Sequence, residues 1–293
     1  MANRRVLVKR REAVRNTRKI TRTMQLIATA RFQAAYKRAV ASKPYTEKLE
    51  ELVGNLAGAV GDLQHPLMRV PEAPTASTLL VLTSNRGLCG GYNGHVLRAA
   101  SELYEQNRAA GIANDLRVVG KKGVAYLQFH KWPMSETITD LDDLPKFEQI
   151  EPIANSLIDR FVRGETGAVF VAYMKFVSTG RQIPVVEKIL PLDAKISGES
   201  SETEPRSEVE FEFSPEPDEL LAELLPASVR IRIFQAFTDA SVSEQVARMV
   251  AMTAATDAAE EMIKRLTQQY NRARQTAITM ELLDIVGGAN ALA

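Results

Sequence analysis

The sequence is poor in the residues that most often carry chemistry. Its 293 residues include one cysteine, Cys89, which excludes an internal disulfide and a cysteine-based metal cluster. The three histidines, His65, His95 and His130, are not spaced as metal ligands. The chain also lacks the G-x-G-x-x-G and G-x-x-x-x-G-K-[ST] patterns that cradle nucleotide phosphates. We therefore expect no cofactor and no metal ion.

Long apolar runs and a dominant charge are also missing. No apolar run approaches the roughly 18 residues of a membrane span, and the basic N-terminus lacks the apolar region of a secretory signal. The formal net charge is only +1, but the charge is segregated along the chain. Residues 1–43 hold thirteen Lys or Arg and one acid, whereas residues 195–225 hold ten acids and two bases. These two regions should carry fields of opposite sign.

Glycine and proline are absent from a long C-terminal stretch, Ala227 to Val286. As one helix this stretch would be roughly 90 Å long, and a helix of that length needs a partner in water. Its apolar residues follow at alternating steps of four and three, which predicts a coiled-coil seam. The seam residues are Ala259, Ile263, Leu266, Tyr270, Ala273, Ala277 and Met280. The alternative is a long helix packed on a large helical domain.

A second long helix is predicted at the N-terminus, where residues 2–43 lack glycine and proline. Its apolar stripe is predicted to be Ile20, Met24, Ile27 and Ala34, with Arg31 completing the spacing. Pro44 should interrupt or kink this helix. Two long helices at opposite ends of one chain can pair antiparallel, with everything between them in a separate body. We therefore expect an N-terminal helix over 1–60, a central α/β domain over 75–213, and a C-terminal helix over 218–293 that pairs with 1–60.

The middle of the chain alternates strand and helix patterns, which predicts an α/β layer with mostly parallel, Rossmann-like strands. The predicted strands are 78–84, 116–120, 168–176 and 183–192. The predicted helices are 95–106, 121–130 and 147–163. The polar residues 194–209 are predicted to be a mobile loop.

Three features leave other functions open. The glycine loop, Asn85 to Asn93, could cradle a phosphate at a helix N-terminus, although such glycines also serve tight turns. Within it, Cys89 is either a nucleophile or a packed thiol. The basic N-terminal helix could bind nucleic acid, form the outer face of a coiled coil, or complement an acidic protein. An enzyme built on the α/β domain would need a ligand in the glycine loop.

Three stretches resemble a known family, the gamma subunit of F-type ATP synthases. Ser243 to Ile263, followed by Tyr270 to Leu292, resembles its C-terminal signature. Asn16 to Arg31 resembles its N-terminal helix, and the glycine loop resembles its central loop. One departure is Asn85, which stands where the family usually has Asp.

The resemblance implies a rotor without bond chemistry of its own. In this family the terminal helices form an asymmetric shaft inside a hexamer of alternating alpha and beta subunits. The α/β domain lies outside, near the epsilon subunit and the membrane c-ring. The resemblance thus implies a peripheral protein at the cytoplasmic face of a bacterial inner membrane, which couples ion flow to ATP synthesis by rotation.

The resemblance also implies roles for individual residues. Those matching contacts with a beta subunit are Arg274, Gln275, Thr279, Arg248 and Met24, although Met24 could also be a plain seam residue. An apolar tip in a hydrophobic collar would be formed by Ile285, Val286, Ala289 and Leu292. Asn16 to Arg22 would present cations to acidic beta-subunit loops.

Overall fold

Along the chain, one long helix precedes the segment that forms a five-stranded sheet, and a second long helix follows it. The computed structural model describes residues 4–60, 65–71, 75–192 and 217–292. The helices are α1 (Arg4–Val60), α2 (Tyr92–Ala109), α3 (Lys121–Phe129), α4 (Phe147–Val162) and α5 (Pro217–Leu292), with a short 3₁₀ helix at Pro66–Met68. The strands are β1 (Ala76–Leu82), β2 (Ala113–Val119), β3 (Glu136–Ile138), β4 (Ala168–Ser178) and β5 (Arg181–Leu190).

The sheet has the strand order β3-β2-β1-β4-β5. Its first four strands are parallel, and β5 pairs antiparallel with β4 through a hairpin. The predicted α/β class with mostly parallel strands is therefore confirmed. β5 lies at the edge of this sheet and carries Pro184, which has no backbone N–H to donate to a further strand. The three-residue strand β3 was not predicted, since it is too short to show an alternating pattern.

Helices cover both faces of the sheet. One face packs on α4 and on the first part of α5, whose fully buried residues include Leu221, Val229 and Ile233. The other face packs on α2 and α3, with Val96 and Leu127 in its core. The result is a three-layer arrangement in which each helix buries an apolar face against parallel strands.

The chain forms two compact units. One comprises Met1–Ala30 with Arg248–Ala293, and the other comprises Arg31–Ala247, which contains the whole sheet. In the first unit α1 and α5 run antiparallel, because residues further along α1 contact residues that come earlier in α5. The contacts are Arg11 with Tyr270, Arg18 with Glu260, and Thr21 with Thr256. The predicted antiparallel coiled coil is confirmed.

On α5 the predicted seam is buried along most of its length. Ala259 and Leu266 are buried. The other seam residues before Met280 are half-buried, namely Ile263, Tyr270, Ala273 and Ala277. Met280 is different, with 51% of its surface exposed. The prediction of a buried seam residue was therefore wrong at that position, since no described residue of α1 covers Met280.

On α1 the predicted stripe was wrong at three of its four apolar residues, and only Met24 is half-buried. Ile20 and Ile27 are 60% and 49% exposed, and Ala34 is exposed as well. The buried positions recur instead every seven residues, at Leu7, Val14, Thr21, Ala28 and Ala35, with Val14 only half-buried. Small side chains allow two helix axes to approach closely, so the larger neighbours on the adjacent stripe remain outside. Searching for large apolar residues therefore selected the wrong face.

Two further expectations concern the ends of elements. α1 continues through Pro44 to Val60, so Pro44 does not interrupt the helix, and a kink there stays a prediction. The predicted loop at 194–209 lies outside the described residues. Within the described ranges, no helix has the length and apolar character needed to cross a membrane.

Candidate functional site

The polar cluster predicted near the end of α5 lies on the outside of the helix. Arg274, Gln275 and Thr279 are all exposed. The Thr279 hydroxyl donates to the Gln275 carbonyl oxygen at 3.0 Å, one helical turn back. Arg274 and Gln275 therefore lie where another chain could reach them, and their contact with a beta subunit stays a prediction.

Beyond this cluster, α5 presents apolar side chains to solvent. Every described side chain from Ile278 to Asn290 is exposed, including Ala289. The large apolar ones are Ile278, Met280, Leu282, Leu283, Ile285 and Val286. Leu292 is the last residue of the helix. An apolar surface of this extent is typical of a segment that another protein covers.

The two residues predicted at the coupling region are less accessible. Met24 is half-buried on α1, and Arg248 on α5 is only 7% exposed. Their contacts with a beta subunit also stay predictions.

The cations of α1 divide between the coil and its surface. Arg18 pairs with Glu260 at 3.3 Å, and the Arg11 guanidinium lies 5.2 Å from the centre of the Tyr270 ring. Lys19 and Arg22 remain exposed on the outer face. Part of the basic character of α1 therefore stabilises the helix pair, and the rest can act on a partner.

The glycine loop between β1 and α2 is held by a small polar network. Asn93 accepts from the Ser84 backbone N–H at 2.9 Å and donates to the Cys89 sulfur at 3.2 Å. Cys89 is buried at 2% exposure. The network therefore uses the thiol in packing and in fixing the start of α2.

At the neighbouring start of α3, the backbone N–H groups are already hydrogen-bonded within the chain. The backbone N–H groups of Lys121, Lys122 and Gly123 donate to the Asn85 side chain, the Ser84 carbonyl and the Thr83 hydroxyl. The distances are 3.1, 3.1 and 2.9 Å. Phosphate sites at helix N-termini use these first N–H groups, and here all three already have acceptors. No group of three or more His, Cys, Asp or Glu that could hold a metal ion occurs among the described residues.

A cluster of buried and half-buried ionisable groups, which the sequence reasoning missed, lies between α1, the sheet and α5. Tyr173 donates to Glu187 at 2.7 Å, and Arg232 pairs with the same carboxylate at 2.9 Å. Nearby, Gln235 donates to Asp239 at 2.9 Å. Arg232 and Asp239, which stand among the buried residues of α5, were the available signal.

Burial dominates the electrostatics of this cluster. It raises the pKa of Asp239 to about 6, against the opposing effects of the Gln235 hydrogen bond and the Lys175 charge. Burial and then the Glu187 carboxylate raise the pKa of Tyr173. Both groups favour their neutral forms more than they would in water.

These features define a class of protein: an antiparallel helix pair whose longer helix ends in an exposed apolar segment, joined to a mostly parallel α/β sheet. The family model described as ATP synthase matches residues 3–292. The ATP synthase gamma chain of Rhodopirellula baltica is 43% identical over 294 residues, covering 100% of this chain and 99% of the relative. That of Dehalococcoides mccartyi is 40% identical over 296 residues and covers 100% of both chains.

A solved structure has the same fold. A chain of the Euglena gracilis mitochondrial ATP synthase, in a structure of its OSCP, F1 and c-ring in rotational state 3, superposes with a TM-score of 0.70 at 18% identity. The match covers 99% of this chain and 94% of that one. The chain belongs to the ATP synthase gamma chain family.

Proposed function

We propose that this chain is the central-stalk rotor subunit of an F-type ATP synthase. It couples transmembrane ion flow to ATP synthesis and hydrolysis on partner beta subunits by rotating inside them. The observation that carries the proposal is the distal part of α5, which among the described residues exposes both a polar cluster and a long apolar segment. Family membership supports the same function.

The mechanism follows from the asymmetry of the helix pair. A rod with different side chains on each face makes different contacts with each beta subunit around it. A rotation therefore changes which conformation each beta subunit favours, which is coupling through differential contact energy. The rod contributes no bond chemistry, so the chain is not an enzyme on its own.

The proposed partners surround the two ends of the molecule. The alpha and beta subunits form a hexamer around the helix pair, with Arg274, Gln275, Thr279, Arg248 and Met24 at beta-subunit contacts. The apolar tip formed by Ile285, Val286, Ala289 and Leu292 turns in a hydrophobic collar. The central α/β domain, for which we propose the bounds 75–213, contacts the epsilon subunit and the membrane c-ring. The chain is thereby held at the cytoplasmic face of a bacterial inner membrane.

A nucleic-acid-binding coiled coil was the alternative, and the family relationship does not support it. The two proposals differ in what the chain co-purifies with. From gently solubilised membranes, the tagged chain should bring down the alpha, beta and epsilon subunits with the c-ring. Retention on DNA, weakening steeply with salt, and absence of those subunits would contradict the rotor.

The polar cluster gives a sharper test in the assembled complex. Gln275→Leu combined with Thr279→Val should lower the number of ions pumped per ATP hydrolysed, because each neutral hydrogen bond to a partner contributes about 1 kcal/mol. The thermal melt of the isolated chain should not change, since both side chains are exposed.

The matched control is Gln269→Leu combined with Thr276→Val, which makes the same chemical changes on another face of α5. This control should pump as the parent does. Equal loss of pumping and of the melt in the first variant would mean that Gln275 and Thr279 are simply structural.

A further inference from the structure

One short segment without regular structure receives bonds from three separate parts of the fold. The segment Thr139–Lys146, here called the joint segment, connects β3 to α4. From α1, Arg31 pairs with the Asp143 carboxylate, and Arg38 donates to the Leu144 carbonyl at 3.2 Å. From α5, the Ser241 hydroxyl donates to the Asp143 carbonyl at 2.6 Å.

The third tie comes from the glycine loop, which follows β1 of the sheet. Its first residue, Asn85, donates to the Leu141 carbonyl at 3.2 Å and accepts from the Lys121 backbone N–H at 3.1 Å. An aspartate could accept from Lys121 but has no proton to donate to Leu141. Asn85 therefore makes a bond that an aspartate at the same position could not make.

The position of these ties along the two long helices is informative. Arg31 immediately follows the boundary of the compact unit on α1, and Ser241 lies two helical turns before the boundary on α5. All residues of the joint segment and all its bonding partners belong to the unit Arg31–Ala247. Both helices are therefore bonded to the same segment close to where they leave that unit.

Directional bonds at this position add to the resistance that apolar packing gives against rotation. The first part of α5 packs on the sheet through apolar side chains, and the hydrophobic effect has no preferred direction. A hydrogen bond or ion pair weakens steeply when its partners slide or turn. Ties from both helices and from the glycine loop to one segment therefore resist turning of the helices against the sheet.

We propose that the joint segment Thr139–Lys146 locks both long helices to the sheet and carries torque between them, with Arg31, Ser241 and Asn85 as positioning residues. This inference rests on the proposed rotary function. It predicts that loosening the segment lets the helices turn against the sheet, so that hydrolysis continues while ion pumping falls.

The test uses the whole complex reconstituted in vesicles with the double variant Arg31→Gln/Ser241→Ala, which cuts a tie from each long helix. ATP hydrolysis should stay within about twofold of the parent, while ions pumped per ATP fall about threefold. The matched control is Arg108→Gln/Ser101→Ala, which also removes one cation and one hydroxyl but breaks only bonds within α2. The control should pump as the parent does.

A mechanical readout separates a loose joint from general damage. A bead on a Gln106→Cys thiol of α2 reports the angle of the sheet unit in a complex whose catalytic sites are stalled. Its angular variance should roughly double in the double variant and stay at the parent value in the control. The exchanged pair Arg31→Asp/Asp143→Arg should recover pumping relative to Arg31→Asp alone.

The outcomes distinguish the two proposals. If the parent complex lacks this chain or pumps no ions, the rotary function fails. If the parent and the double variant pump equally and their angular variance is the same, the joint is wrong and the rotary function stands. Should the double variant not assemble, Asn85→Asp decides: it keeps the size of the side chain and should increase the angular variance, and an unchanged variance would overturn the joint.

Discussion

At the scale of single residues, the start of α3 shows how closely two backbone segments can approach. Gly120 has a φ of +94°, and a Cβ at this position would lie 2.2 Å from the Thr83 carbonyl oxygen. Thr83 in turn bonds the Val119 carbonyl and the Gly123 N–H. The contact attaches α3 to the end of β1, next to the glycine loop.

Gly120→Ala should therefore lower the free energy of unfolding by about 3 kcal/mol or more, from the backbone strain and the clash together. Gly111 provides the matched control, since it also has a positive φ (+75°) but nothing lies within 4 Å of its added Cβ. Gly111→Ala should cost only about 1 kcal/mol for the strain. Urea unfolding of both variants measures the difference. Equal losses of unfolding free energy would show that the close contact with Thr83 adds nothing to the cost of the substitution.

The buried Asp239 makes stability depend on pH. It is 8% exposed, and its pKa rises from 3.8 to about 6 because of burial. The folded chain thus binds this proton more tightly than the unfolded chain does. The stabilisation is fully present below about pH 4 and is lost as the pH rises through about 6.

Asp239→Asn should consequently raise the free energy of unfolding by about 2 kcal/mol near pH 7.5 and by much less near pH 4.5. The Gln235 side-chain oxygen, which is buried without a hydrogen-bond partner, could then accept from the new amide. Unfolding curves at several pH values check this, with the exposed Asp257→Asn as control. A variant whose difference from the parent does not vary with pH would contradict the assignment.

At the scale of elements, α5 changes its environment along its length. Its first part is buried nearly all round against the sheet and α1, its middle buries a seam against α1, and its last part is exposed on every side. A single uninterrupted helix thus serves as a core element, as half of a coiled coil and as a free end. No single amphipathic pattern could describe it.

The corrected contact face of α1 gives an element-scale prediction. Ile20→Gln should change the free energy of unfolding of the isolated chain by less than about 0.5 kcal/mol, because Ile20 is exposed. Ala28→Gln should cost about 2 to 3 kcal/mol, because Ala28 is 1% exposed and a longer side chain cannot be accommodated. Circular dichroism during urea titration compares them, and the reverse order would restore the stripe predicted from the sequence.

At the scale of the whole molecule, the exposed end of α5 should contribute to the stability of the assembled complex and not to that of the isolated chain. Ending the chain after Ala277 keeps the seam and removes residues that are exposed from Ile278 to Asn290. The melt of the isolated chain should therefore not change, while the assembled complex should lose stability and turn over more slowly. A full-length variant with Ile285→Ser and Val286→Ser should reproduce the loss in the complex.

Two results would contradict this prediction. A lower melt of the truncated chain alone would mean that the end of α5 packs on its own chain. An unchanged complex would mean that no collar binds Ile285 and Val286.

The sequence by itself determined the elements whose cause is local. The stretch from Ala227 to Val286 had to be helical because nothing in it breaks a helix, and its period of 3.5 required a partner helix. Short apolar runs separated by helical patterns required a mostly parallel sheet. The seam from Ala259 to Ala277 followed from spacing alone.

Only the tertiary structure decided which surfaces meet. Thr21, Ala28 and Ala35 form the contact face of α1 because close approach of two axes favours small residues, a preference that hydrophobicity does not reveal. Asn85, Asp143 and Ser241 are far apart in sequence, and their polar side chains show no periodicity, so only folding brings them to one segment. The same holds for Asp239, whose raised pKa arises from burial between elements that local sequence cannot anticipate.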